Sequence, residues 1–596
     1  MKRGLRVLGL ALLLSALTLL AWVELPGFSA PPGGQPSWEA LWQSLRAQQA
    51  SSEAWLLDRE GTPLQSLRLD TSRRQLAWTP LAQISPALQR AVIHAEDRRF
   101  ADHHGVDWLA VAHALWALPG SVLNGEGRPR GASTLSMQLA ALLDPGGTPR
   151  AGLRSLIDKL HQARAARQLE RHWSKDQILE AYLNRVSFRG ELQGAAAMSR
   201  RLFGKWPDGL DDTESAIAAA LLRAPNASGR VVTRRACTLL WALRSARPDD
   251  SVCAGLADRV AQALEGSLRG PTADRAGTDE APHLARRLLT QPGQQRRSNL
   301  DGALQRTARR VLHRQLLALV KRNVQDGAVL VLDNASGEVR AWVGSSGELS
   351  QSAQVDGVTA LRQAGSTLKP FLYAQAFAER RLTPGSLLDD RPLSVDAGQG
   401  LYTPQNYEPH YRGWVSARAA LAGSLNVPAV RTLLQVSPEA FQQQLLRFGL
   451  DSLVHSGDWY GPSLALGSAD VSLLMLTNAY RALAQGGRWS PVQVGHGEPP
   501  RCAEDGCRGV FSGEARQVID EAVAFLVADI MSDRSARAGT FGLDSWLSTP
   551  YWSAVKTGTS KDMRDNWCLG FSRRYTVGVW VGNASGEPMH DVSGIT

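Results

Sequence analysis

The sequence predicts a multidomain protein: an N-terminal membrane helix, a mostly α domain, and then an α/β domain. Three observations predict it. The 596 residues are too many for one hydrophobic core. A basic N-terminus is followed by a 17-residue apolar run, Val7 to Val23. Helical runs broken by glycine-rich loops fill residues 38–225, whereas residues 327–344, 551–559 and 575–582 carry strand patterns. A hydrophobic fraction of 43% fits ordinary globular domains.

The apolar run is near the lower length limit for spanning a bilayer. Lys2, Arg3 and Arg6 before it place the N-terminus in the cytoplasm. A cleaved signal peptide is the rival reading, but Leu25–Ala30 lacks a clear small-x-small cleavage site. The expectation is therefore a single-pass anchor within residues 1–30, with everything after residue 30 outside the cytoplasm. The net charge is +10. No nucleic-acid module is visible, and an external domain meets neither RNA nor DNA, so anionic lipid is the better basic-protein partner.

In the mostly α region, Glu96-Asp97-Arg98-Arg99-Phe100 runs on to His103-His104-Gly105. Alone, such a cluster is a solvated charged face. Residues 106–123 carry Trp108, Leu109, Leu115, Trp116 and Leu118. They read either as a core helix or as a face dipping into a membrane interface. Residues 226–325, rich in Arg, Gln and Gly, read as a linker region with some helices. The five cysteines exclude a fully paired set. Cys502 and Cys507 bracket a turn-like Ala-Glu-Asp-Gly and suit a loop disulfide in an oxidising compartment. Cys568 reads as a packing residue, and no zinc-like spacing occurs.

The α/β region opens on a β-hairpin, residues 327–344, and residues 551–559 and 575–582 add strands. Three short motifs lie along it in fixed order: Ser366-x-x-Lys369, Ser424-Leu-Asn426 and Lys556-Thr557-Gly558-Thr559. A serine hydroxyl needs a base beside it to act as a nucleophile. On a helix, i and i+3 share a face, so Ser366 and Lys369 are expected to meet. Gly365 and the apolar run after Ser366 predict a helix starting at that serine, with Pro370 in its first turn. Lysine serves as a base only when burial or nearby positive charge lowers its pKa, and arginine cannot serve at all. The chain holds 58 Arg and 8 Lys, so Lys369 and Lys556 stand where arginine is avoided. Ser553-x-x-Lys556 also fits the first pattern, but on a strand i and i+3 face opposite ways.

The three motifs in that order are the signature of enzymes acylated by penicillin at a serine. Together with Asn406-Tyr407, Gly413-x-Val415-Ser416, Arg418-x-Ala420-Leu421 and Ser424 to Val430, they make residues 326–596 resemble the transpeptidase domain of penicillin-binding proteins, an antiparallel sheet flanked by helices. The resemblance implies that Ser366 attacks a D-Ala-D-Ala bond, with Lys369 as base. Ser424 and Asn426 would relay protons and hold the substrate amide. Lys556, Thr557, Gly558 and Thr559 would bind the substrate on a strand, and the N–H groups of Ser366 and Thr559 would form an oxyanion hole.

The Glu96–Gly105 stretch, Gly131-Ala-Ser133-Thr134-Leu-Ser-Met-Gln138, Tyr182 to Val186 with Leu202 to Lys205, and Glu214 to Pro225 resemble the peptidoglycan glycosyltransferase domain of class A penicillin-binding proteins. That implies a mostly α, lysozyme-like domain over 38–225 with Glu96 as general base. Asp97, Arg99, Phe100, His103, Ser133, Thr134, Gln138, Arg154, Lys159 and Gln162 would bind substrate. One departure stands out. Where the family has Arg-Lys-x-x-Glu, this chain has Asp158-Lys159-Leu160-His161-Gln162. A glutamine moves no proton. The leaving pyrophosphate is already a stable anion, so cations matter more there than a general acid.

The resemblance as a whole implies a bifunctional peptidoglycan synthase on the bacterial inner membrane, with its catalytic domains in the periplasm. The alternatives are a glycosyltransferase whose second domain binds penicillin or peptide but barely turns over, and a cell-wall scaffold. The implied partners are lipid II, nascent glycan strands, stem peptides, β-lactams, inner-membrane lipid and other cell-wall proteins. The sequence assigns no cofactor, and a divalent cation at the lipid pyrophosphate is the one candidate. The chain ends soon after its last strand, which predicts a truncated transpeptidase domain whose sheet lacks a cover.

Overall fold

The computed structural model describes Val23 and residues 37–113, 133–144, 153–244, 250–268 and 279–595, apart from 397–399, 409, 496, 498, 503–504 and 508. The expected anchor, save Val23, and residues 114–123 of the expected apolar helix lie outside these residues. Among the described residues no helix is long and apolar enough to cross a membrane. The chain divides into two compact units. One is Met1–Ala54, Arg68–Ala276 and Gln291–Gly293, and the other is Trp55–Leu67, Gly277–Thr290 and Gln294–Thr596.

The first unit is helical: α1 Trp38–Gln48, α2 Pro86–Glu96, α3 Leu135–Leu143, α4 Leu153–His172, α5 Lys175–Arg185, α6 Ala195–Phe203, α7 Asp212–Leu222, α8 Gly229–Leu243 and α9 Leu256–Leu268. Their starts are written in the sequence. Ser85 caps α2, with proline as its first residue. Thr134 caps α3, and reciprocal capping boxes open α5 (Ser174 with Gln177) and α7 (Asp211 with Glu214). Residues Ser215 to Leu221 of α7 are all buried, which makes it the central helix, flanked by α2 and α8.

Residues 226–325, expected as a linker region with some helices, place α8 and α9 in this core. Val232, Ala236, Leu240, Leu256, Val260 and Ala263 are buried in it. The 3.6-residue periodicity there is masked by surface arginines, which is why the stretch reads as broken. A disulfide, Cys237–Cys253, ties α8 to the turn before α9. The sequence reading did not pair these two cysteines. The expected Cys502–Cys507 disulfide is formed, and Cys568 is free.

The second unit is built on a five-stranded antiparallel sheet. Its strands are β1 Asp326–Asp333, β2 Val339–Val343, β5 Ala554–Thr559, β6 Asp565–Phe571 and β7 Tyr575–Gly582, in the order β5-β6-β7-β1-β2. The predicted hairpin is β1–β2. The short strands β3 Leu387–Asp390 and β4 Gly413–Ser416 pair separately. Helices α10 Gly302–Leu319, α11 Lys369–Ala378, α12 Ala417–Ala422, α13 Asn426–Val436, α14 Leu473–Ala484 and α15 Glu521–Ser532 complete the frame.

The expectation of an uncovered sheet is overturned. Leu312, Leu316 and Leu319 of α10, with Met589 and Val592 after the last strand, cover one face. Helix α14 packs on β1, β6 and β7. Covered on both faces, β1 shows a near-continuous buried run rather than an alternating one.

Candidate active sites

The second unit brings all three of its motifs together. Ser366 lies in a 3-10 turn, Gly365–Leu368, and the α-helix starts only at Lys369, with Pro370 in its first turn. The α-helix therefore starts three residues later than predicted. Gly365 is required there: its φ is +56°, and a Cβ would come within 2.6 Å of the Thr559 carbonyl oxygen. A Cβ on Gly558 would likewise stand 2.6 Å from a methyl carbon of Thr367. These two glycines let strand β5 run directly against the turn that carries Ser366. Strand β5 is the edge of its sheet, so its outer side has no partner strand within that sheet.

Lys369 is fully buried. Its Nζ donates to Asn426 Oδ1 at 2.6 Å, to the Ser424 carbonyl at 2.7 Å and to Ser424 Oγ at 3.5 Å. From β5, Lys556 Nζ donates to the same Ser424 Oγ at 2.7 Å and to the Thr557 carbonyl at 2.8 Å. The expected Lys369–Ser366 hydrogen bond is not formed, because the amine is drawn to these better acceptors. Catalytic contacts of this kind commonly tighten only with substrate bound. Ser424 itself sits at φ +58°, a costly conformation for a residue with a Cβ, in the turn joining α12 to α13.

Burial, and then the neighbouring charge of Lys556, push the pKa of Lys369 well below the ordinary lysine range. Burial brings Lys556 down to about 7, against an opposing pull from Cys568. Burial raises the Cys568 thiol to about 11. Thr557 is buried, and Thr559 Oγ1 donates to Asn566 Oδ1 at 2.8 Å. Ser553, one residue before strand β5 rather than on it, bonds Thr549 outside this cluster at 2.8 Å.

In the first unit, Glu96 ends α2. Gln138 Nε2 of α3 donates to Glu96 Oε2 at 3.0 Å, and Arg223 Nε pairs with Glu96 Oε1 at 3.4 Å. Arg223 also donates to the Ala95 carbonyl. The buried Tyr182 donates its hydroxyl to Gln138 Oε1 at 2.9 Å, and burial raises that phenol's pKa strongly. Asp97 is turned away from this cluster. Its carboxylate meets His103 Nε2 at 3.0 Å and accepts from the Leu135 N–H at 2.9 Å, so it braces the start of α3.

Thr134 donates to the Gly105 carbonyl at 2.6 Å and caps α3. Arg99 pairs with Asp107 at 3.3 Å. Phe100 is buried, with the Lys175 ammonium 4.5 Å from its ring centre. Ser133 is half-buried. On α4, Lys159 is exposed and Gln162 half-buried. No hydrogen bond or ion pair among the described residues joins either of them to Glu96. The Arg154 side chain lies outside the described residues. Tyr182 and Arg223 are the partners that sequence reading did not single out, although both fall inside motif stretches. In the second unit, Asn406 lies inside a quoted stretch but was given no role, and Asp390 lies outside every quoted stretch.

Residues 60–243 match the transglycosylase family, and residues 327–585 match the penicillin binding protein transpeptidase domain. The chain is 32% identical over 527 residues to penicillin-binding protein 1C of Escherichia coli (strain K12), covering 85% of this chain and 62% of that protein. Penicillin-binding protein 1F of Bacillus subtilis (strain 168) is 28% identical over 531 residues, covering 85% of this chain and 71% of that one. Among solved structures, penicillin-binding protein 1A from Haemophilus influenzae superposes with a TM-score of 0.58 at 17% identity, over 92% of this chain and 90% of that one. At that identity the likeness shows a shared fold. With a transglycosylase segment followed by a penicillin-binding transpeptidase segment on one polypeptide, the chain belongs to the class A penicillin-binding proteins.

Proposed function

We propose that this chain is a bifunctional peptidoglycan synthase. Its second unit cross-links stem peptides through an acyl-enzyme on Ser366. Lys369, whose pKa burial lowers, takes the serine proton as the hydroxyl attacks the D-Ala-D-Ala carbonyl. Ser424, bridged between Lys369 and Lys556, passes a proton toward the departing D-Ala amine. Lys556 and the strand Thr557–Thr559 hold the peptide and its carboxylate. An acceptor amine then displaces Ser366 from the ester. The observation that carries this reading is a single serine hydroxyl within hydrogen-bond reach of two buried lysines, beside a turn that presents Ser366. Penicillin mimics the same acyl donor, so a fluorescent penicillin tests it: wild type is labelled and Ser366→Ala is not. An unlabelled wild type contradicts it.

The first unit, read as a lysozyme-like domain over 38–225, polymerises glycan from lipid II. Glu96, oriented by Gln138 and Arg223, removes the proton from the attacking sugar hydroxyl. Arg154, Lys159 and Arg164 on α4 neutralise the pyrophosphate, and Gln162 contributes hydrogen bonds. Residues 1–30 anchor the chain in the inner membrane with both catalytic regions in the periplasm, and 326–596 form the transpeptidase domain. Polymerisation of purified lipid II, lost in Glu96→Gln, tests this half.

A further inference from the structure

We propose that Asp390 is a positioning residue for the acylating centre, acting through Asn406 and Asn426 on the amine of Lys369; the proposal rests on the acyl-enzyme reading above. Asp390 ends strand β3, outside all three motifs, and is completely buried. Among the described residues it has no ion pair; Arg391 and Arg431 pair with its neighbour Asp389 instead. A buried carboxylate without a counterion is expensive to keep for packing alone. Its oxygens are occupied by specific donors. Asn406 Nδ2 reaches both of them, at 2.8 and 3.1 Å, and the Arg412 N–H reaches Oδ2 at 3.0 Å.

A carboxylate only accepts, so Asn406 must turn its NH2 toward Asp390. The His410 carbonyl, 3.2 Å from the same nitrogen, demands that orientation too. Asn406 Oδ1 therefore faces the opposite way. There it accepts from the backbone N–H of Asn426 at 2.9 Å and of Val427 at 3.4 Å, two unsatisfied donors at the start of α13. The residue before α13, Leu425, provides no side-chain cap, so Asn406 supplies it from another segment. Next, Asn426 Nδ2 donates to the carbonyl of Gln405, the neighbour of Asn406, at 2.7 Å. That leaves Asn426 Oδ1 aimed at Lys369 Nζ, 2.6 Å away. Two amides in series are thus oriented by groups that can only accept, and the last of them holds the amine.

The test uses the full chain in detergent and follows the second-order rate of acylation by fluorescent penicillin from pH 5 to pH 10, with the melting temperature as a folding control. In Asp390→Asn the new amide presents NH2 to Asn406, which flips and sets its own NH2 against the N–H groups of α13. The expected result is acylation slower by roughly tenfold, the scale of one misplaced hydrogen bond. The acid limb of the pH profile should also move to lower pH, because the charged amine loses an acceptor. Lys556 faces Lys369 and Tyr373 faces Asp390, and both remain in the variant, so the displaced limb reports the acceptors of Lys369.

The swapped pair Asp390→Asn with Asn406→Asp restores an acceptor facing α13, at the cost of a carboxylate oxygen beside the His410 carbonyl, and should acylate roughly threefold faster than Asp390→Asn alone. An Asp390→Asn variant with the wild-type rate or an unmoved acid limb overturns the relay. So does a swapped pair that fails to fold or to regain acylation. A wild-type chain that is not acylated at all overturns the acyl-enzyme reading instead, which keeps the two failures distinct.

Discussion

Two lysines converge on one serine hydroxyl, and each changes what the other can do. Lys369 must be neutral to take a proton, whereas Lys556 is useful as a cation. Acylation should rise with pH as Lys369 loses its proton. It should fall again as Lys556, brought down to about 7 by burial, loses its own. Rates of penicillin acylation against pH will then trace a bell whose alkaline limb lies near neutrality. Lys556→Arg, which keeps its charge, will lose that limb. An alkaline limb unchanged in Lys556→Arg refutes the assignment.

Stability follows the same shifts with a definite sign. A lysine whose folded pKa is lowered binds fewer protons folded than unfolded, so its cost is complete below the folded value. That cost disappears as pH rises toward the unfolded value. Lys369→Met should therefore abolish acylation and raise the melting temperature, by a larger margin at pH 6 than at pH 9.

At this scale the sequence was informative because chemistry restricts residue type. Ser366, Lys369, Ser424, Asn426 and Lys556 were all legible. Asp390, Asn406, Tyr182 and Arg223 were not, because their roles exist only through contacts made by the fold. The hydroxyl of Tyr182 is the sharpest case, being the only donor to Gln138 Oε1 among the described residues. Tyr182→Phe removes that partner from the half-buried Gln138 and should slow lipid II polymerisation several-fold without unfolding the unit. A wild-type rate in Tyr182→Phe would show that Gln138 needs no such brace.

Elements with strong local signals were predicted well, and those defined by tertiary contacts were not. The hairpin β1–β2 and strands β5 and β7 follow from strand patterns bounded by turn residues. The α-helix at the nucleophile starts at Lys369 rather than Ser366, because β5 lies so close to Gly365 that the chain keeps a tighter 3-10 turn there. Helices α8 and α9 were hidden by exposed arginines. Their attachment is reinforced by Cys237–Cys253, 16 residues apart. Replacing both cysteines with serine should cost about 3 kcal/mol by the loop-closure argument, read as a lower denaturation midpoint of the first unit. An unchanged midpoint would mean that apolar packing alone holds α8 and α9.

Across the whole molecule, the two motif sets lie in two separate compact units, which predicts separable activities. Glu96→Gln should lose glycan polymerisation and keep penicillin labelling at the wild-type rate, while Ser366→Ala should do the reverse. Loss of both activities in either variant contradicts that independence. The two-domain organisation was legible because each motif set is ordered and spaced along its own stretch. The covering of the sheet was not, because α10, which lies before the first strand, supplies it from within the stretch read as linker. The most direct measurement is the intact mass of the full, folded chain after exposure to penicillin, followed by peptide mapping. The account predicts a single covalent adduct, on the peptide carrying Ser366 and absent in Ser366→Ala. No adduct, or one on any other residue, would contradict it.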